Sequence, residues 1–165
     1  MSHSIVLIAD NIRSVQNVGS LFRTANCFGV TELYLCGVTP APIDRFGRIR
    51  SDMARVALGA ETDITWKQFI TTADAIHYAR ANGYAVCALE QNPGSQPLSY
   101  MQNLRADSKN IAVVVGTETT GLTQSDIALC DHIFEIEQFG SKESLNVSVA
   151  AGIALYELRR NIGIL

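Results

Sequence analysis

Ser4-Ile5-Val6-Leu7-Ile8-Ala9, closed by Asp10, decides the fold class. A strand that is apolar at successive positions, rather than at every second one, is buried on both faces, as happens in a parallel sheet covered by helices on each side. Ile111 to Val115 repeats the pattern more strongly and ends at Gly116, and Tyr84 to Leu89 and Glu32 to Cys36 repeat it again. Shorter strands are expected at Asp63–Trp66 and Ile133–Ile136. Between the strands lie helical segments. Val15 to Phe28 carries Val15, Val18, Phe22 and Ala25 in register and stops at Gly29. Met53 to Gly59, Thr71 or Thr72 to Ala81, and Ser125 to Leu129 read as further helices. Strands alternating with helices, with no internal repeat and no linker, give one α/β domain built on a parallel sheet in an α/β/α arrangement.

The chain closes with Glu143-Ser144-Leu145-Asn146-Val147-Ser148-Val149-Ala150-Ala151-Gly152-Ile153. Ser144 or Asn146 suits a helix N-cap, since a side-chain oxygen there satisfies a free amide of the first turn. Val147, Ala150, Ala151, Ala154, Leu155 and Leu158 then recur at helical spacing and form one apolar face, flattened by the alanines and Gly152. Polar amides at such a helix start also suit the polar edge of a ligand.

At 165 residues the chain has the length of a single domain able to bury a core. No apolar run approaches membrane-spanning length, and the first residues carry no basic leader. Cys27, Cys36, Cys87 and Cys130 are scattered without a C-x-x-C pair, which points to small core residues in a reducing cytosol rather than to zinc or disulfides. The net charge of −3 gives no overall attraction to nucleic acid. Locally the sign reverses. Arg45, Arg48, Arg50 and Arg55 lie in and just after a long loop from Gly37 to Arg50, opposed there only by Asp44 and Asp52. Arginine makes forked contacts with phosphate, so this loop is a candidate RNA contact as well as an ordinary solvated loop.

Ligands of open α/β sheets bind beyond the carboxyl ends of the strands. Gly116-Thr117-Glu118-Thr119-Thr120-Gly121-Leu122 follows the most buried strand, and its glycines allow backbone to approach a ligand closely. It is neither G-x-G-x-x-G nor a P-loop, and no H-E-x-x-H or G-x-S-x-G occurs, so dinucleotide, nucleoside-triphosphate, zinc-protease and serine-hydrolase sites lack their signatures. His3, His77 and His132 stand apart from one another and offer no metal set. Asn17 and Arg23 are separated by six residues, nearly two turns at about 3.6 residues each, and address one loop surface. Glu118 is the carboxylate expected to partner Arg23, in a structural salt bridge or in a site.

Three stretches together resemble the SpoU/TrmH branch of the SPOUT RNA methyltransferases. The first runs from Asp10-Asn11 through Asn17-Val18-Gly19 to Arg23-Thr24-Ala25, similar to N-x-G-x-x-x-R-T-A. The second is Gly116-x-Glu118-x-x-Gly121-Leu122. The third is Ser144 through Ile153. They occur in the family's order and span nearly the whole chain. Thr117 stands where the family often has Asn, and Glu137 where it usually has Pro.

The resemblance implies a SPOUT fold with a deep C-terminal trefoil knot, a homodimer with each site near the interface, and S-adenosylmethionine bent into the knot. Backbone at Leu89, Gly116, Ile136 and Leu145 would hold its adenosine part. The implied reaction is methyl transfer to a ribose 2′-hydroxyl of tRNA or rRNA, with small size leaning to tRNA. The family account makes Arg23 activate that hydroxyl. Since a guanidinium stays protonated, Arg23 is expected instead to clamp the adjacent phosphate and stabilise the developing alkoxide, with Glu118 aligning it and Asn17, Ser144 and Asn146 holding the ribose and Arg23 in place. The chain is expected to be the catalytic domain, residues 1–165, without an RNA-binding extension, which leaves Arg45, Arg48, Arg50 and Arg55 as the leading RNA contacts. Three alternatives stand beside this expectation: methylation of guanine N1, a catalytically idle RNA-binding dimer of the same fold, and a flavodoxin-like binding module.

Overall fold

The computed structural model of the protein describes residues 4–104, 110–117 and 119–160. Its elements follow in the order β1 (Ser4–Asp10), α1 (Val15–Cys27), β2 (Glu32–Cys36), α2 (Ser51–Ala57), α3 (Ala60–Asp63) and β3 (Thr65–Phe69). Then come α4 (Thr72–Ala81), β4 (Ala85–Leu89), β5 (Gln96–Pro97), a 3-10 turn at Leu98–Asn103, β6 (Asn110–Val115), α5 (Gln124–Ile127), β7 (His132–Glu135) and α6 (Val147–Arg160). Among the described residues the strands form one seven-stranded sheet in the order β3-β2-β1-β6-β4-β7-β5, with every pairing parallel. The parallel α/β class expected from the apolar runs is what the structure has.

Alternation along those runs explains the two layers. Leu7, Leu33, Val113 and Leu89 face the cluster beneath α1 and α6, whereas Val6, Ile8, Val114 and Ala88 face the cluster beneath α4. Both sets are almost wholly buried, and each such aliphatic side chain contributes about 1.5–3 kcal/mol over leaving it in water. Gly19, part of the first quoted motif, has a packing role. A Cβ there would meet Val56 Cβ at 3.0 Å and the Met53 carbonyl at 3.1 Å, so α1 and α2 approach backbone to side chain. At the other end of α1, Arg159 of α6 donates from Nε to the Phe28 carbonyl at 2.6 Å, which suits a cation at a helix C-terminus.

α1 carries Asn17 and Arg23, and its start is fixed by Ser14, whose Oγ accepts from the Asn17 amide at 3.2 Å. Replacing Ser14 with Ala is expected to lower unfolding free energy by about 1 kcal/mol, the usual worth of such a cap, in a denaturant titration. An unchanged midpoint would show that α1 needs no cap.

Two expectations are corrected. The strand placed at Asp63–Trp66 lies at Thr65–Phe69, because Gly59 at φ 95° opens a short turn whose last residue is Asp63. That turn is held by Glu61, which accepts the Gly59 amide at 3.0 Å, and by Thr62 Oγ1 donating to the Gly59 carbonyl at 2.7 Å. Past β4, where the apolar runs place no strand, Gln96–Pro97 pairs with β7 as a short edge strand. A two-residue edge strand that begins with Gln and Pro has no hydrophobic period to announce it. The Gly37–Arg50 loop is a loop as expected, with an antiparallel bridge between Ile43 and Ile49.

Candidate active site

The strand order turns back at the centre of the sheet. β1, β2 and β3 step one way, and β6, β4, β7 and β5 step the other. At the carboxyl ends of β4, β6 and β7 the following loops converge on a cavity of about 310 Å³. That is at the lower end of the roughly 300–1,000 Å³ usual for small-molecule sites. Leu89, Gly116, Ile136 and Leu145 all line it, and so does Ser144. The four positions expected to hold a ligand by their backbone therefore come together, from segments far apart in the chain.

The loop after β6 is shaped by what a side chain would strike. A Cβ on Gly116 would lie 2.8 Å from both the Gly121 carbonyl carbon and the Leu122 nitrogen. Gly121 adopts φ +62°, and a Cβ there would meet the Glu90 carboxylate at 2.4 Å. The loop closes on itself through an antiparallel bridge between Thr117 and Gly121. Glu90 ties it to the sheet: its carboxylate accepts the Leu122 amide at 2.8 Å and the Gln91 amide at 3.1 Å, while its own amide donates to Phe134 of β7 at 2.9 Å. Glu90 is not among the residues that the motifs single out, although a carboxylate directly after a fully apolar strand is a signal.

Glu90→Ala leaves the part-buried Leu122 amide without its acceptor. Stability is expected to fall by about 1–3 kcal/mol in urea denaturation, with Glu90→Gln recovering part of that because one oxygen remains. Equal losses in both variants would mean that the charge, not the acceptor, matters.

No lysine or arginine lines the cavity among the described residues, whereas Glu90 and Glu135 do. Glu135 is oriented by Ser95 Oγ, which donates to it at 2.8 Å. This wall suits a ligand carrying positive charge better than one carrying phosphates.

The entrance to α6 decides between the two expected caps in favour of Asn146. Its Oδ1 accepts from the Ser148 amide at 2.9 Å and the Ser148 hydroxyl at 2.6 Å, and its Nδ2 donates to Asn17 Oδ1 at 3.1 Å. The same residue starts the helix and links α6 to α1. Ser148 in turn lines a second, open groove between α1 and α6, together with Arg23, Ser20, Thr24, Gly152 and Tyr156. Asn146 thus stands between the cavity and this groove.

Arg23 does not lie in the cavity. It is exposed in the neighbouring groove and makes no ion pair among the described residues. Glu118 lies outside the described residues. Gly152 contributes to the groove, and a Cβ added there would meet Thr24 Cγ2 at an ordinary 3.4 Å, so the flattening of α6 opens a surface there rather than an unusually tight contact.

Asp10 and Asn11 belong to a structural latch. Asp10 is 3% exposed and accepts from Asn11 Nδ2 at 2.7 Å and from the Thr72 hydroxyl. Asn11, at φ 49°, accepts the Val38 amide at 3.2 Å. These bonds pin the ends of β1 and β2 rather than face the cavity.

Of the four arginines expected to meet RNA, Arg45, Arg48 and Arg50 line one open groove on the Gly37–Arg50 loop. Arg55 is exposed on α2 and is not part of that groove.

Residues 4–156 match the model of the SpoU rRNA Methylase family. The chain is 32% identical over 95% of its length to the 23S rRNA (guanosine-2′-O-)-methyltransferase RlmB of Coxiella burnetii, of which it covers 58%. It is 30% identical over 96% of its length to an uncharacterized tRNA/rRNA methyltransferase of Synechocystis, of which it covers 38%. The chain therefore spans about half the length of these curated relatives, or less. Among solved structures, the AdoMet-bound rRNA methyltransferase from Sinorhizobium meliloti superposes with a TM-score of 0.85 at 27% identity, covering 98% of this chain and 58% of that one. With the family match running through β1, the cavity loops and most of α6, the chain belongs to the SpoU rRNA methylase family.

Proposed function

We propose that the protein is a cytosolic S-adenosylmethionine-dependent RNA methyltransferase that methylates a ribose 2′-hydroxyl of tRNA or rRNA. The observation that carries this is the meeting of Leu89, Gly116, Ile136, Leu145 and Ser144 around one cavity, with Asn146, which bonds Asn17, between the lining residues Leu145 and Val147. The cavity fits the methyl donor on two counts. Gly116 and Gly121 both line it, so its wall there is backbone with no side chain to fill the space, and its carboxylates with no facing lysine or arginine suit a sulfonium and an ammonium. When bound there, the donor supplies an electrophilic methyl group on sulfur. The 2′-oxygen forms the new bond to that carbon as the carbon–sulfur bond breaks and a neutral thioether leaves.

The chain's own residues orient the hydroxyl and steady its charge. Ser144 and Asn146 offer polar groups for the ribose, and Asn17 holds Asn146 in place. A guanidinium stays protonated in a protein, so Arg23 clamps the neighbouring phosphate and stabilises the developing alkoxide, while the proton passes to a phosphate oxygen or water. Glu118 aligns Arg23 in this scheme. Arg45, Arg48, Arg50 and Arg55 supply further phosphate contacts, which makes RNA binding strongly salt-dependent.

The active unit in this proposal is a homodimer joined through the α1–α6 face, where Val149, Ile153 and Tyr156 are 50%, 39% and 55% exposed beside Arg23. The segment following β6 is proposed to thread as a deep trefoil knot. Its support is the adjacency of β6, β4 and β7, with their loops meeting in one cavity.

The test is labelled methyl transfer from S-adenosylmethionine to tRNA and to rRNA, followed by mapping of 2′-O-methyl positions. Label at a mapped ribose supports the proposal. Label on a base, or none on either RNA from a protein that binds the donor, rejects it.

A further inference from the structure

The Gly37–Arg50 loop carries a feature that phosphate contact does not require. Phe46 is 66% exposed, although two guanidinium carbons lie over its ring, Arg45 at 4.7 Å and Arg48 at 5.0 Å from the centroid. The ring is held out by a fixed turn. The Asp44 carboxylate accepts the Phe46 amide at 2.8 Å and the Arg48 amide at 3.0 Å, and Arg48 Nε donates to its other oxygen at 2.8 Å. The Asp44 amide donates to the Arg48 carbonyl at 2.8 Å, and the Gly47 amide to the Asp44 carbonyl at 3.0 Å. The Arg48 amide, with help from the Arg48 side chain and the Phe46 amide, holds the Asp44 carboxyl below its ordinary range, so the turn stays charged and closed at neutral pH. A phenyl ring is thus presented to water, flanked by cations, on a backbone that does not have to be ordered when a ligand arrives.

We infer that Arg45, Phe46 and Arg48 form a stacking site for an unpaired base, so that the loop takes single-stranded or looped-out RNA rather than a regular duplex. The inference rests on the RNA reading of this loop proposed above and adds the kind of RNA. Its logic is charge and shape. Two arginines over the ring and a third lining the same groove favour a polyanion, and among polyanions a nucleic acid with a free base offers a flat π surface to match an aromatic face and guanidinium planes. In A-form duplex the bases are stacked on one another, and the helix offers phosphates and the shallow groove instead. A purely electrostatic patch has no use for an exposed phenylalanine at its centre.

The experiment compares a short single-stranded RNA with a duplex of the same sequence, by fluorescence anisotropy at fixed salt and across a salt series, using the full chain. Phe46→Ala is expected to weaken single-strand binding about 5- to 100-fold, the effect of losing one base–aromatic stack, while duplex binding stays within about twofold. Phe46→Tyr and Phe46→Trp are expected to restore single-strand binding, which a merely structural role for the ring would not demand. Since Phe46 is exposed, the alanine variant is expected to keep the wild-type melting temperature.

The inference is overturned if Phe46→Ala binds the single strand as well as wild type, or if it loses both RNAs alike. The reading beneath it fails separately. If Arg45→Ala with Arg48→Ala leaves binding of both RNAs and the salt slope unchanged, the loop does not meet RNA, and the patch belongs to a protein partner instead.

Discussion

An Arg23→Ala protein is expected to lose methyl transfer by at least about 100-fold, the scale of removing one group that stabilises charge developing in the transition state, and to bind S-adenosylmethionine as wild type does. The separation of the two readouts follows from where Arg23 stands. It projects from α1 into the groove beside α6, outside the cavity formed by Leu89, Gly116, Ile136 and Leu145, so no wall of the donor site is lost with it. Nor does the fold depend on it. Arg23 is exposed and makes no ion pair among the described residues, so its removal breaks no salt bridge of the described fold. Arg23→Lys sharpens the result, because it keeps the charge and loses the planar fork. Recovery of less than about a tenth of wild-type activity would point to two-point grasp of a phosphate, and full recovery to charge alone. Near-normal transfer by the alanine variant, measured as label entering RNA with isothermal titration of the donor alongside, would remove Arg23 from the reaction.

What the sequence makes legible here depends on how many physical constraints act on a residue at once. Val6, Ile8, Val113 and Val114 are buried in a sheet whose two faces are both covered, and only an unbroken apolar run satisfies that, so β1 and β6 could be read directly. β3 at the sheet edge has exposed Thr65 and Gln68 and only half-buried Trp66 and Phe69. Nothing in that pattern excludes a shift of two residues, and the strand begins at Thr65 rather than at the expected Asp63. At the cavity, the glycines and the Ser144–Asn146 stretch were visible because a turn, a cap and a close backbone approach restrict residue type. The placement of Arg23 in a groove next to the cavity was not visible, since six residues of spacing on α1 fix a face of the helix but not what lies opposite that face. Glu90 escaped for the related reason that its partners, Leu122 and Phe134, come from segments brought together only by the fold.

The second large effect is expected from a single methyl group. Gly116→Ala should weaken S-adenosylmethionine binding by at least about tenfold and lower stability by about 1–3 kcal/mol, the usual cost of overpacking a tight site. Gly116 does not need glycine for a left-handed backbone; it needs glycine for space. The added Cβ would sit 2.8 Å from Gly121 C and Leu122 N and 3.0 Å from Leu122 Cγ. A clash with the end of a flexible side chain is relieved by a rotamer change, but two of these three atoms are backbone. Relief then means moving the Gly121–Leu122 backbone away from Gly116. That movement would strain the Thr117–Gly121 bridge that closes the loop on itself and the bond from the Leu122 amide to Glu90, which ties the loop to the ends of β4 and β7. Because Leu89, Gly116 and Ile136 line the cavity from those same segments, loop and cavity change shape together. Gly140→Ala supplies the control, for a Cβ there meets nothing within 4 Å, and its melting temperature and donor affinity should match wild type. Titration calorimetry with the donor and a thermal melt on the two variants decide the matter: a Gly116→Ala protein with wild-type affinity and melting temperature would mean that the loop yields easily, and that the donor is held somewhere other than against Gly116.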